Sequence, residues 1–433
     1  MQWMFSRRQS QKTQTKNAPI GGLPLTSRLQ PRIVVACSVA LVLAACAGRP
    51  QGVLEPVSGR VAGTSQVDML VVTTRHKSTS AGEMFTGERS LQPAFADIDI
   101  SIPPAEVRNV GDVQWPKRLP GNPATDFVVQ RADIISQKEA LIRFRNVTAK
   151  ADKRRVLVFV HGYNNRFDDA VFRFAQIVHD SDAKVAPVLF TWPSRGSLFA
   201  YGYDRESANF SRDALENLLT ALANDRHTGE ISILAHSMGN WVTLEALRQM
   251  AIRNGRIAPK IANVMLAAPD VDIDVFGTQI RNMGPKRPNF TLFTSRDDRA
   301  LAVSRRVWGS TARLGAIDLT AEAVKNKLVE QNITVVDMSG VKSNDPLNHG
   351  TFAASPEVVR LIGGRLMGGQ IMTDSSSGLG DKIIEVTAGA AASVGTATGL
   401  LLAAPVTVFD PKSRGNYGEQ LNRLGETISD TAH

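Results

Sequence analysis

The sequence predicts an α/β fold, a mostly parallel central sheet with helices on both faces. Three observations carry this. Beyond Arg155 the strand-like runs, such as "VLVFV" (Val156 to Val160) and "ISILA" (from Ile231), are continuously apolar rather than alternating, as strands covered on both faces must be. Each is followed by apolar residues at helical spacing. With 433 residues, 43% of them apolar and 21% charged, the chain can bury a large core.

The first 45 residues stand apart. They carry six of the 50 basic residues (Arg7, Arg8, Lys12, Lys16, Arg28, Arg32) and no acid, leaving 44 basic residues against all 41 acidic ones in the remainder. A body so nearly balanced offers no basic face for nucleic acid, and no nucleic-acid partner is expected. Two arginines precede an apolar run from Ile33 to Leu43, too short for a comfortable membrane span and suited to the core of a secretory signal. It ends in "LAAC" (Leu43 to Cys46), which resembles the lipobox of bacterial lipoproteins, and residues 1–45 are read as a signal peptide with an extended basic leader. That resemblance implies acylation of Cys46 and anchoring in a membrane. Ala47 in place of Asp leans toward the outer membrane, facing the periplasm. Cys37 and Cys46 are the two cysteines of the chain, so the exported body would hold no disulfide and no thiolate metal site.

Residues 46–65, rich in Gly, Pro, Ser and Gln, read as a flexible tether. A domain is expected over 66–366. Its first strands, Val67 to Arg75 and Phe95 to Pro103, suit an antiparallel edge. The parallel rhythm then begins. Val156 to Val160 leads to Phe167, Val171, Phe174 and Val178, Ala186 to Trp192 leads to Leu215, Leu218 and Leu222, and the strand from Ile231 leads to Trp241, Leu244, Leu247 and Ala251, each set one helical face. Further strands are expected at Ile261 to Ala268, Asn289 to Ser295 and Asn332 to Ser339. In such sheets ligands bind beyond the carboxyl ends of the strands. Residues 367–433 form a Gly/Ala-rich extension. Its stretch Val386 to Phe409 has no charge and contains "GTATG", a small-residue spacing used where helices pack in lipid, but three glycines and Pro405 weaken that reading, and a hairpin packed on the domain stays open beside membrane association.

One stretch carries the chemistry. In "ISILAHSMGN" (231–240) an apolar strand runs into Ser237, with Ala235 and Gly239 at the two flanking positions where a sharp strand-to-helix turn needs small side chains. A serine hydroxyl is a poor nucleophile until a base takes its proton, and that base must be held in one tautomer, so an imidazole and a carboxylate have to converge on it.

From about Val156 to Phe352 the sequence resembles an α/β-hydrolase of the esterase/lipase superfamily, in a largely uncharacterised bacterial branch, through "VLVFVHGYNN", "TWPSRGS", "YDRESANFSRDALE", "AHSMGN", "LAAPDVD" and "SRDDRAL" in that order. The resemblance implies a fold and a serine-hydrolase mechanism but no substrate. It puts "HGYNN" at the oxyanion loop, where the amides of Tyr163 and Met238 would receive the negative oxygen. The acid is expected at Asp298 in "TSRDDRAL", with Asp270 in "AAPD" as the alternative and Asp297 after it; for each, capping a helix is the competing role. His349 in "LNHGTF" is the expected base, since it follows the last strand and keeps the chain order serine, acid, histidine. His161 and His236 are read as structural. Trp192 and Arg195 in "TWPSRGS" are candidate substrate contacts, with a bridge to the acidic "YDRES" segment the other role for Arg195.

The expectation is thus an exported, lipid-anchored serine hydrolase of carboxylic esters acting on a small-molecule or lipid ester, with no cofactor and no metal. An acyltransferase with the same triad and a non-catalytic envelope binding module are the rival readings.

Overall fold

The continuous apolar runs become the inner strands of one sheet. The computed structural model describes residues 50–368, save positions 60, 81, 308–311, 321, 342 and 344, together with 383–386. The signal, Cys46 and the extension beyond Val386 lie outside the described residues. The strands are β1 Ser65–Lys77, β2 Phe85–Ile102, β3 Val128–Ile135, β4 Val156–Val160, β5 Ala186–Thr191, β6 Ile231–His236, β7 Ile261–Ala267, β8 Asn289–Thr294, β9 Ile333–Asp337 and β10 Ile383–Glu385. Their order across the sheet is β3-β2-β1-β5-β4-β6-β7-β8-β9-β10. From β1 to β10 every neighbouring pair is parallel, whereas β1, β2 and β3 form an antiparallel edge.

The central strands face two cores. Val156, Val158 and Val160 of β4 point to one and Leu157 and Phe159 to the other, all of them buried. Burying each such side chain is worth roughly 1.5–3 kcal/mol, so a run of five is a strong local commitment to the sheet centre. On the first face lie α1 Gln137–Lys150, α3 Tyr201–Asn224, α4 Gly239–Asn254 and α5 Ile273–Met283; on the other lie α2 Phe167–Asp180, α8 Thr351–Ala354 and α9 Pro356–Gly368. Two short helices, α6 Arg299–Val307 and α7 Glu322–Glu330, follow β8 and precede β9.

Three expectations change. From Pro50 the stretch read as a flexible tether is packed on the domain: Val53 and Leu54 are buried in the second core, Leu54 N–H donates to Gly82 O and Val57 N–H to Val129 O. Two adjacent apolar residues among turn formers are enough to pin it. Strand β3 was not anticipated, because Arg131 and Asp133 interrupt its apolar run and, among the described residues, it pairs on one side only, with β2. Ile383–Glu385, within the Gly/Ala-rich extension, adds β10 beside β9. Among the described residues, no helix is long and apolar enough to cross a membrane.

Candidate active site

Strand β6 ends at His236 and α4 begins at Gly239, so the reversal between them falls on two residues. Ser237 sits there at φ +52°, in left-handed backbone that costs a non-glycine residue roughly 1–2 kcal/mol. The turn is over-determined. Ser237 N–H donates to Ala267 O (2.9 Å), while Ser237 O accepts from Asn240 N (3.1 Å), Asn240 Nδ2 (2.9 Å) and Asp270 N (3.3 Å). Small residues admit this crossing: a Cβ on Gly239 would stand 2.3 Å from His161 O, and one on Gly162 would stand 2.8 Å from Ser237 Cβ. The "HGYNN" loop therefore lies directly against the serine.

His349 and Asp298 meet after the last two large strands. Asp298, 2% exposed, accepts a hydrogen bond from His349 Nδ1–H on Oδ2 (2.7 Å) and from Leu301 N–H on Oδ1 (2.9 Å). The carboxylate caps α6 and orients the imidazole at once, so the two roles weighed for it coexist. Burial alone would depress the His349 pKa; the charge and hydrogen bond of Asp298, with smaller contributions from Asp270 and Asp345, more than offset this and hold it above the ordinary value. His236 ties the His349 loop to the serine turn: its Nε2–H donates to His349 O (3.1 Å) and the two rings lie 4.8 Å apart. Burial, then the neighbouring His349, push His236 well below the ordinary pKa. Among the described residues, no hydrogen bond joins Ser237 Oγ to His349.

The other two carboxylates are engaged elsewhere. Asp270 accepts from Tyr201 Oη (2.6 Å) and Ser304 Oγ (2.7 Å), and Arg313 Nε lies 3.4 Å away. Asp297 accepts from Gly340 N–H (2.8 Å). Neither is hydrogen-bonded to His349.

The amide of Tyr163 follows Gly162, which packs against Ser237, and that of Met238 follows Ser237 in the chain. Among the described residues, neither N–H has an acceptor within the protein. Such orphan donors beside a serine can stabilise an oxygen that gains negative charge. His161, by contrast, is built in. Its ring is buried and stacked on Trp192 (4.9 Å between centroids, 13° between planes), Nδ1–H donates to Gly162 O, and Nε2 accepts from Trp192 N–H (3.1 Å). Burial, reinforced by the charge of Arg75, lowers its pKa to about 3.

Of the two proposed substrate contacts, Trp192 is corrected. Trp192 is fully buried and its indole N–H donates to His161 O (2.8 Å), so it supports the loop from behind. Arg195 takes the other role weighed for it, a bridge to the "YDRES" segment: its N–H donates to Asp204 Oδ1 (3.0 Å) and its guanidinium lies over the Tyr203 ring (3.6 Å) while making two bonds to Glu88 of β2 (2.9 and 3.1 Å). Sequence reading missed Glu88 because its partner lies 107 positions away and no motif marks it. It also missed α1, whose Ser136–Glu139 capping box was legible. Among the described residues, no group of three or more His, Cys, Asp or Glu side chains is placed to hold a metal.

Residues 136–365, more than half of the chain, match the family described as "Alpha/beta hydrolase of unknown function (DUF900)". The chain belongs to this family. The resemblance seen in the sequence and the sheet order agree with it. An uncharacterized protein of Nostoc sp. (strain PCC 7120) is 26% identical over 142 residues, covering 27% of this chain and 37% of that protein. The chain thus matches little more than a third of that relative's length. Among solved structures, a bacterial brefeldin A esterase described as a homologue of human hormone sensitive lipase is 10% identical, with a TM-score of 0.32 and coverage of 80% of this chain and 88% of the other. An uncharacterized protein from Bacillus cereus ATCC 10987 gives 13%, 0.33, 50% and 60% in the same order. Similarities of that size add nothing to the family match on activity.

Proposed function

We propose that this member of the α/β-hydrolase family is a serine hydrolase that cleaves carboxylic esters, with Ser237 as nucleophile, His349 as general base and acid, Asp298 as the group that orients His349, and the amides of Tyr163 and Met238 as the oxyanion hole. The observation that carries the reading is the 2.7 Å bond from His349 Nδ1–H to a carboxylate buried at the same sheet rim as the strained Ser237. With Nδ1 holding its proton, Nε2 is the free base.

In the proposed reaction Ser237 Oγ attacks the ester carbonyl carbon as its proton passes to His349 Nε2. The carbonyl oxygen becomes an oxyanion held by the two amides. Collapse of the adduct expels the alcohol, which takes the proton from His349 and leaves Ser237 acylated. Water then adds to the acyl carbon, giving its proton to His349, and the carboxylic acid departs as the proton returns to Ser237. The contact between Ser237 Oγ and His349 is completed as substrate binds, since such bonds are often loose without it.

The test is a fluorophosphonate probe on the purified protein. The native chain is expected to label and Ser237→Ala to remain unlabelled; a folded native chain that does not label would instead support a binding module. We further propose that the protein is exported and held at the outer membrane through acylated Cys46. A fatty-acid analogue fed to expressing cells should label the native chain and not Cys46→Ala, and equal labelling of both would refute the anchor.

A further inference from the structure

We propose that Arg75, on β1, is a positioning residue for the oxyanion loop, so that the antiparallel hairpin preceding the family-matched region is part of the catalytic unit. The inference rests on the serine-hydrolase reading above. Arg75 is 1% exposed, and its guanidinium reaches three segments that carry or support the site. Nη2 donates to Asn165 O (2.8 Å) and to His161 Nε2 (3.3 Å), both in the "HGYNN" loop. Nη1 donates to Ser194 O (2.8 Å) in the loop after β5 and to Thr86 O (3.2 Å) on β2.

The same loop is also held by a residue of α3. Asp204 of α3, fully buried, accepts from Ser194 Oγ (2.6 Å), Arg195 N (3.0 Å) and Asn164 N (3.4 Å), while Asn165 N–H donates to Ser194 Oγ (3.0 Å). Residues 161, 164 and 165 are thereby held on both sides of Tyr163, whose own amide is left without an acceptor among the described residues. Burial lowers the Arg75 pKa to about 10, with Asp204, Asp168 and Asp169 opposing the shift, so the group stays charged at neutral pH.

Chemistry argues for a positional role. Burying a guanidinium costs several kcal/mol, and an apolar side chain of similar length often gives an equally stable fold. What an apolar side chain does not supply is a planar fork with four fixed donors. An oxyanion donor acts through its preorganisation, and removing one lowers turnover about 10²- to 10³-fold. A loop displaced rather than deleted should cost about 10- to 100-fold in kcat. Because the amide bonds tighten in the transition state, KM should stay within about twofold.

The experiment compares the native chain with Arg75→Met, using 4-nitrophenyl acetate as substrate and normalising kcat to the endpoint number of serines labelled by the fluorophosphonate. The expected result is a 10- to 100-fold lower kcat per labelled serine with little change in KM. A merely structural role would lower the number of labelled serines and leave kcat per serine unchanged, and that outcome overturns the proposal. Should Arg75→Met fail to fold, Arg75→Lys and Ser194→Ala are read by the same ratio, and an unchanged ratio in either has the same force. A folded native chain that neither labels nor cleaves ester removes the hydrolase reading itself, and this inference falls with it.

Discussion

His349 Nδ1 and Asp298 Oδ2 lie 2.7 Å apart although 51 positions separate them in sequence, and the same carboxylate caps α6 through the Leu301 amide. One side chain thus serves helix and imidazole together. Substitution should separate the two roles. Asp298→Asn keeps an oxygen for Leu301 but loses the charge facing His349, and is expected to fold normally while kcat falls about 10³- to 10⁴-fold, the cost of a wrong tautomer. Asp298→Ala also loses the cap and should unfold about 1 kcal/mol more easily. Ester kinetics with urea melts checks both; activity within tenfold of native for Asp298→Asn would point to another acid.

The rival carboxylate makes a contrasting prediction. Asp270 is satisfied by Tyr201, Ser304 and Arg313, and it reaches His349 through its charge alone. Asp270→Asn should keep kcat within about tenfold while lowering stability by about 1–3 kcal/mol, because charge-assisted bonds are lost and Arg313 is left poorly compensated. The ratio of the two Asn variants decides the assignment. If Asp270→Asn were the more damaging in kcat, the roles given to these residues would have to be exchanged.

The activity profile should follow the His349 proton. His349 must be neutral to act as base, and its pKa is held above the ordinary histidine value by Asp298 against the opposing effect of burial. Ester cleavage is therefore expected to rise with pH through an apparent pKa above about 6.5. For stability the sign is opposite: a raised pKa stabilises the fold below the unfolded value, and that contribution disappears as pH rises through the folded one. In Asp298→Asn the residual activity should titrate at lower pH. A midpoint unmoved by the substitution would show that Asp298 does not set it.

Much of this site could be read from residue order alone, because the central strands bury both faces and their apolar runs are unmistakable. Ser237 was legible from the strand before it and the small residues around it. His349 and Asp298 followed once the resemblance fixed which strand ends matter. What escaped was chemistry between distant segments. Arg75 lies 90 positions from Asn165 and sits among strand residues with no motif, and nothing local announces that it is buried with four acceptors. Trp192 looked like a pocket residue because it ends a strand, yet the His161 ring and carbonyl draw it fully inside. Burial depends on partners, and partners are set by strand order, which β5-β4-β6 scrambles relative to the chain.

Acid should expose the buried histidines. His161, with a pKa of about 3, and His236, also lowered, stay neutral inside the fold mainly because burial penalises their charged forms. The unfolded chain takes up protons at these residues below about pH 6.5 while the folded chain does not, so stability falls as pH drops through the interval between the two values. Melting temperature is expected to decline steadily from about pH 6.5 toward pH 4. His161→Gln, whose amide can still donate and accept, should flatten that slope whatever it does to the absolute stability. An unchanged slope would mean that the acid sensitivity belongs to other groups.

Strain at the proposed nucleophile gives the last prediction. Ser237 holds φ +52° because Asn240, Asp270 and Ala267 fix its backbone from three sides. Glycine adopts that conformation freely, at the cost of a more flexible unfolded chain worth about 0.5–1 kcal/mol, against a relieved penalty of about 1–2 kcal/mol. Ser237→Gly is therefore expected to be abolished in ester cleavage and equal to or up to about 1.5 kcal/mol more stable than the native chain. Ser237→Ala keeps the Cβ and with it the strain, so it should lose activity without that gain. Differential melting of the two variants isolates the backbone contribution, since both lack the hydroxyl. A glycine variant less stable than the alanine one would mean that the turn is not strained at Ser237, and the energetic account of the elbow would fail while the catalytic assignment stood.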